Sequence, residues 1–119
     1  MFVKALKDSD EFLAGDKTIL RELLHPDKTD LQLRYSLAHA VVKPGATSLR
    51  HKLSVSEVYY ILEGAGRMQM GHESRTVGPG EAVYIPPHSV QCIENIGKTD
   101  LKFLCIVDPA WRRDHEEVL

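Results

Sequence analysis

The stretch "LRHKLSVSEVYYILEGAG", Leu49 to Gly66, carries one histidine and one glutamate ahead of an apolar run that ends at a glycine turn. Side chains two apart in a strand share a face, so His51 and Leu53 point the same way, and the segment "SVS" predicts a bend into the next strand. If the faces that carry His51 and Glu57 point into one barrel, the two side chains converge on its interior. A carboxylate there is costly unless it is hydrogen-bonded, paired or bound to a cation, so the pair marks a candidate site.

The composition is that of a single soluble globular domain. The chain has 119 residues, of which 43% are hydrophobic and 27% charged, and its longest purely apolar runs are far too short to span a bilayer. The N-terminus lacks the apolar segment of a secretory signal, so we expect a cytoplasmic protein without a membrane partner, in which Cys92 and Cys105 are buried free thiols. The formal charge of -2, without a stretch of one sign, argues against nucleic acid as a partner.

Turn signals recur at short intervals along the chain, and the segments between them are rich in Val, Ile, Leu, Tyr and Phe. This pattern is typical of an all-β sandwich or barrel, with glycine and proline supplying the special backbone angles of the turns. Predicted strands cover residues 18–24, 31–42, 48–53, 58–62, 67–70, 74–77, 82–85, 90–94 and 101–107. We expect one domain over residues 1–119, with N-terminal strands in 2–24, a core barrel over about 31–109 and a polar tail at 110–119.

The first quoted stretch resembles the first sequence motif of the cupins, which are small jelly-roll barrels. In "GATSLRHKLSVSEVYYILEG", Gly45, His51, Glu57 and Gly64 fall at the motif positions, whereas Leu53 stands where the family has its second histidine. The resemblance extends over roughly residues 36–109 and implies a jelly-roll cupin barrel of two antiparallel sheets.

A second stretch, "GEAVYIPPHSVQCIEN", resembles the second cupin motif. Gly80, Pro86 and Asn95 match it, while His88 replaces the family's glycine and Gln91 replaces its histidine. The two motifs occur in the family's order and are separated by a short region, as in compact cupins with a single domain.

The resemblance also implies a divalent metal ion, since many cupins hold one with three histidines and the glutamate of these motifs. Only His51 and Glu57 keep their identity here, and Leu53 has no polar atom. Gln91 offers its carbonyl oxygen, which is a weaker ligand than imidazole for Zn, Ni, Fe or Mn. The expected cofactor is therefore a divalent ion held by His51, Glu57 and Gln91, with a metal-free barrel as the alternative.

His39 is a further candidate ligand, which strand parity suggests and the cupin motif does not. It alternates with Tyr35, Leu37 and Val41 on the more apolar face of its predicted strand, so we expect it to line the same barrel. Together with His51 and Glu57 it would form a set of two histidines and one carboxylate. The alternative interpretation of His39 is a core histidine that is hydrogen-bonded to a neighbour.

Tyr59 shares a strand face with Glu57, which makes Glu57 and Tyr59 the candidate catalytic residues for proton transfer. The alternative for Tyr59 is an aromatic packing residue whose hydroxyl finds a backbone partner. Three classes of function stay open: a metal-dependent enzyme of oxygenase, isomerase or decarboxylase type acting on a small molecule, a barrel that binds a small ligand with little or no metal, and an accessory or structural protein.

The N-terminal "MFVKALK" alternates like a short edge strand, which would leave unpaired backbone groups in a monomer. The resemblance to small cupins, which pair such strands, implies a homodimer. Residues 9–14, with Ser9 or Asp10 as a cap, and the charged tail after Trp111 are candidates for short helices.

Overall fold

The computed structural model describes all residues from Met1 to Leu119 as a protein of eleven strands and two short 3-10 helices. The helices are Leu6–Asp8 and Arg113–His115. The strands are β1 (Glu11–Leu13), β2 (Ile19–Leu24), β3 (Ser36–Val42), β4 (His51–Leu53), β5 (Ser56–Glu63), β6 (Gly66–Met70), β7 (Glu73–Val77), β8 (Ala82–Ile85), β9 (Gln91–Asn95), β10 (Leu101–Asp108) and β11 (Glu116–Val118). No helix is both long enough and apolar enough to cross a membrane.

The strands form two antiparallel sheets that face each other. The larger sheet has the order β1-β2-β3-β10-β5-β8, and the smaller one has the order β11-β4-β9-β6-β7. This arrangement confirms the predicted all-β jelly-roll barrel. Strand β10 shows which face of the larger sheet points inward. Its residues alternate strictly between buried and half-buried, with Leu101, Phe103, Cys105 and Val107 on the inner face.

The apolar core fills the part of the barrel between β5, β6, β9 and β10. Tyr59 and Phe103 pack with ring centroids 4.5 Å apart, and Ile61, Ile93 and Leu101 are fully or almost fully buried beside them. The remaining space between the sheets, on the side of β1 and β11, is a cavity lined by polar and apolar residues in equal number.

The N-terminal predictions were wrong in two places. "MFVKALK" does not form an edge strand, because Leu6–Asp8 is a 3-10 helix and no strand precedes it. Residues 9–14 are not helical, since Glu11–Leu13 is strand β1 and pairs with β2. The predicted cap fails because Ser9 Oγ donates back to the carbonyl of Ala5 at 3.0 Å and does not cap a following helix.

The C-terminal tail has more structure than its polar sequence suggests. After the 3-10 helix Arg113–His115, strand β11 pairs antiparallel with β4, placing Val118 opposite His51 and Glu116 opposite Leu53. The end of the chain therefore lies beside the first motif.

Candidate functional site

A cavity of about 250 Å³ lies between the two sheets, where the β1 edge of the larger sheet faces the β11 edge of the smaller one. His51, Glu57 and Tyr59 line it, as strand parity predicted. Two acidic residues that the sequence analysis did not select, Asp16 and Glu116, line the same cavity.

His51 is fixed in orientation by the backbone of its own strand. Its side chain is buried, and Nδ1 lies 2.8 Å from the carbonyl oxygen of Leu49. A carbonyl can only accept a hydrogen bond, so Nδ1 carries a hydrogen and donates it. The other ring nitrogen, Nε2, lies 3.5 Å from Oδ2 of Asp16. Neutral His51 therefore presents a lone pair at Nε2 to a carboxylate oxygen.

Asp16 belongs to the turn between β1 and β2 and is buried. Its Oδ1 accepts two hydrogen bonds from Thr18, at 3.1 Å from the backbone nitrogen and at 2.7 Å from Oγ1. Asp followed two residues later by Thr is a local turn signal, which predicts the shape of the loop but says nothing of His51. The fixed Oδ1 leaves Oδ2 directed at the imidazole.

Glu57 is the most strongly perturbed carboxyl group of the cavity. Burial, with the nearby charge of Asp16 adding to it, raises the pKa of Glu57 from 4.5 to about 8. Its Oε1 accepts a hydrogen bond from Nε2 of Gln91 at 2.8 Å, whereas Oε2 has no partner within the protein. Glu57 is therefore mostly protonated at neutral pH.

Gln91 and Tyr59 form a buried chain of hydrogen bonds behind Glu57. The hydroxyl of Tyr59 donates to Oε1 of Gln91 at 3.2 Å, and burial raises the pKa of Tyr59 well above its usual value. The amide of Gln91 is thereby engaged at both ends, with its nitrogen toward the carboxyl group and its oxygen toward the tyrosine. This arrangement gives Gln91 the role of orienting Glu57.

Glu116 reaches the cavity from strand β11. Burial raises the pKa of Glu116, whereas the nearby His51 and the Trp111 side chain lower it. An added Cβ on Gly15 would lie 3.1 Å from Oε2 of Glu116, so the β1–β2 turn and the C-terminal segment approach closely here. No local sequence signal could have selected Glu116, because only the pairing of β11 with β4 brings it to the site.

The placement predicted for His39 was wrong, because it lies on the outer face of the larger sheet. It pairs in register with Arg21 on β2 and with Leu104 on β10, and Leu104 belongs to the half-buried outer row of its strand. Burial, followed by the charges of Lys102 and Arg21, lowers the pKa of His39. His39 is therefore not brought together with His51 and Glu57.

The residues at the cupin ligand positions do not form the family's metal set. Leu53 is buried and apolar, and the oxygen of Gln91 is already bonded to Tyr59. No three His, Cys, Asp or Glu side chains converge in a geometry that would hold a metal ion. The cavity is lined by one imidazole, that of His51, and by the four carboxyl groups of Asp16, Glu22, Glu57 and Glu116.

Neither cysteine supplies a reactive thiolate. Both are free and buried. Burial raises the pKa of Cys105 well above its usual value, and burial also raises that of Cys92. Cys105 thus lines the cavity as a protonated thiol.

Comparison with known proteins shows which family this chain belongs to. The family model described as a cupin domain matches residues 38–107. The protein MJ1618 of Methanocaldococcus jannaschii is 42% identical over 109 residues, which cover 91% of this chain and 86% of that protein. The mannose-1-phosphate guanylyltransferase ManC of Salmonella typhimurium is 30% identical over 103 residues, which cover 82% of this chain and 22% of ManC.

Solved structures share the fold at lower identity. A predicted oxalate decarboxylase from Thermotoga maritima matches with a TM-score of 0.79 and 22% identity, covering 91% of this chain and 99% of that one. This chain spans only about a fifth of the guanylyltransferase that it resembles. The match of the family model over more than half of the sequence, together with the archaeal relative, shows that the chain belongs to the cupin family.

Proposed function

We propose that the barrel binds a small organic molecule in its cavity and catalyses proton transfer on it, with His51 as the proton acceptor and Glu57 as the proton donor. The observation that carries this proposal is the protonated, buried Glu57 in the same cavity as an oriented imidazole. Isomerisation and elimination are reactions that need one donor and one acceptor placed in this way.

The acceptor in this proposal is Nε2 of His51. Because Nδ1 donates to Leu49, Nε2 carries the lone pair of the neutral ring and faces Oδ2 of Asp16. Two acceptors 3.5 Å apart repel unless a proton or a donor lies between them. The hydroxyl or amino group of an enol or enamine would occupy that place and lose its proton to His51, while a carbon of the same molecule receives the proton of Glu57. Asp16 would stabilise the imidazolium that forms.

The donor is Glu57. With a pKa of about 8, roughly nine in ten of its carboxyl groups carry a proton at pH 7. Since Oε1 accepts a hydrogen bond from Gln91, the acidic proton resides on Oε2, the oxygen without a protein partner. A pKa close to the working pH is the range in which a general acid is most effective.

The alternative is the metal-dependent enzyme implied by the resemblance to metal-binding cupins. It would need to recruit the carboxyl groups of the cavity in place of the missing histidines. We regard it as the second candidate because Nε2 of His51 is free to bind a cation and its ring is held by Leu49, as is common for histidine ligands.

The proposal is tested by solvent hydrogen exchange. Ligands found by thermal unfolding with a panel of small metabolites would be incubated with the protein in D₂O, and deuterium incorporation at carbon would be followed by NMR. We expect exchange with the wild type and its loss in His51→Gln and in Glu57→Gln.

The matched control is His39→Gln, which makes the same substitution at a buried histidine outside the cavity and should leave exchange unchanged. Exchange that persists in His51→Gln would overturn the proposal. A stoichiometric transition metal that is present in the wild type and lost in His51→Gln would favour the metal-dependent alternative.

A further inference from the structure

Building on the proposed function, we propose that the cavity selects small molecules that carry an amino group in its ammonium form, and that it rejects carboxylates and phosphates. The proposal names the chemical class of the ligand for the small-molecule site described above. It rests on the distribution of charge in the cavity and on the unpaired acceptors that face into it.

The interior of the cavity contains carboxyl groups but no permanent cation. The acidic lining residues are Asp16, Glu22, Glu57 and Glu116, whereas the basic ones are Lys28 and Arg113. Lys28 is mostly exposed and pairs with Glu22, and Arg113 lies exposed on the 3-10 helix. A carboxylate or phosphate placed next to His51 would therefore meet like charges with little compensation.

The unpaired acceptors identify the chemical group of the ligand that would bind here. Nε2 of His51 and Oδ2 of Asp16 face each other at 3.5 Å. A hydroxyl group has one hydrogen to donate, so it can satisfy only one of these acceptors. An ammonium group has three donors and no acceptor, so it can donate to both atoms at once. Its charge also offsets that of Asp16.

The remaining walls suit a small apolar body attached to that group. Leu20, Phe103 and Val107 line the cavity, and the aromatic side chains of Phe12 and Trp111 contribute to its wall. Aromatic faces attract cations, which adds to the preference for an ammonium group. A volume of about 250 Å³ corresponds to roughly eight water molecules, so the ligand is small.

The proposal is tested by calorimetry at low ionic strength with two series of matched probes. One series consists of benzylamine, benzyl alcohol and benzoate, and the other of butylamine, butanol and butyrate, with oxalate as an additional anion. We expect each amine to bind about tenfold or more tightly than its alcohol, and the anions not to bind.

Two variants assign the preference to the cavity. Asp16→Asn removes the charge but keeps an oxygen that can accept from Thr18. Glu116→Gln removes the charge of a second lining carboxyl group, which belongs to strand β11. Each should weaken amine binding about tenfold while changing alcohol binding less than about threefold. Glu63→Gln, which removes an exposed charge paired with Lys102, is the control and should change neither.

The outcomes separate the two proposals. If the alcohols or the anions bind the wild type as tightly as the amines, the ammonium assignment is overturned while the small-molecule site stands. If no member of either series binds, both fail. An amine preference that survives in Asp16→Asn and in Glu116→Gln alike would also overturn the assignment, since the charge would then come from outside the cavity.

Discussion

At the scale of single residues, folding disfavours the ionised form of the Glu57 carboxyl group. Its pKa of 4.5 rises to about 8 on folding because the side chain is buried, so the folded chain keeps a proton that the unfolded chain releases above about pH 4.5. The free energy of unfolding therefore falls as the pH rises from about 4.5 to about 8. At about 1.4 kcal/mol per pKa unit, the loss is at most ~5 kcal/mol.

Replacing Glu57 by Gln should remove this loss, because the amide keeps the shape of the neutral carboxyl group and can still accept from Gln91. We expect Glu57→Gln to unfold at higher urea concentration than the wild type at about pH 9, and to differ little from it at about pH 5. The control is Glu73→Gln, at an exposed position. A variant whose stability falls with pH as steeply as that of the wild type would contradict this explanation.

Leu53 and Gln91 decide the chemistry of the cavity as much as the residues that line it. Leu53 shares the inward face of β4 with His51, and Gln91 is the register partner of His51 on β9. The double substitution Leu53→His with Gln91→His restores the two histidines of the cupin motifs beside His51 and Glu57. We expect this variant to bind one Zn, Ni, Fe or Mn ion about 100-fold or more tightly than the wild type.

The measurement is elemental analysis after dialysis, followed by competition with a chelator. Gln91→His alone is the matched control and should give intermediate affinity, because Leu53 still lacks a donor atom. Equal affinity in the wild type and the double variant would show that the natural cavity already holds a complete metal set.

At the scale of elements, the strands were largely predictable from turn residues and from alternation. Ala82–Ile85 was predicted at its observed bounds, and β10 extends only one residue beyond the prediction. The error at Glu11–Leu13 has a physical reason. Three residues gain a full partner in β2, and this long-range pairing outweighs a weak local cap signal.

His39 was misplaced because the more apolar face of its strand is not the face that points into the barrel. In β3 the inner row consists of the small residues Ser36, Ala38 and Ala40, ending at Val42. Large aromatic side chains from β5 and β10 already fill the barrel, so this strand supplies small ones. Likewise, Asp16 and Glu116 were not predictable as site residues, because each is brought to His51 by pairing between distant segments.

The glycine that closes the first motif lies in the turn between β5 and β6. Gly64 has φ +89, and a Cβ there would lie 2.8 Å from the carbonyl oxygen of Asp100 and 2.9 Å from Cα of Leu101. Gly64→Ala should therefore lower the free energy of unfolding by about 2 kcal/mol or more, since both the backbone angle and the contact are unfavourable.

Gly71 provides the matched control for that experiment. Its φ is +59, but an added Cβ would meet nothing within 4 Å, so Gly71→Ala carries only the cost of the left-handed backbone, about 1 kcal/mol. Urea unfolding of both variants gives the comparison. Equal losses would show that the contact with residues 100–101 contributes nothing.

At the scale of the whole molecule, the interior of the barrel has a packed half and a hollow half. The apolar core lies around Tyr59, Phe103 and Ile93, and the cavity lies between the β1 and β11 edges. Those two edges are short strands of three residues each, joined to the barrel mainly by backbone hydrogen bonds. The cavity is therefore bordered by two short edge strands.

The β1 edge also carries the apolar surface that would support the expected homodimer. Phe12 and Leu13 are 43% and 60% exposed, and Phe2 lies in the same surface groove as Phe12. An edge strand flanked by exposed apolar side chains is typical of a surface that pairs with a second copy. We propose that two chains associate through this edge, which would also shield the mouth of the cavity.

Sedimentation velocity at micromolar concentration tests this association. We expect a dimer for the wild type and a monomer for Leu13→Lys, because a lysine at this edge places a charge in the interface and opposes strand pairing. The matched control is Tyr84→Lys at 62% exposure on β8, the opposite edge of the same sheet, which should remain a dimer. A monomeric wild type would show that this interface does not exist. A dimer that dissociates in Tyr84→Lys and persists in Leu13→Lys would place the interface elsewhere.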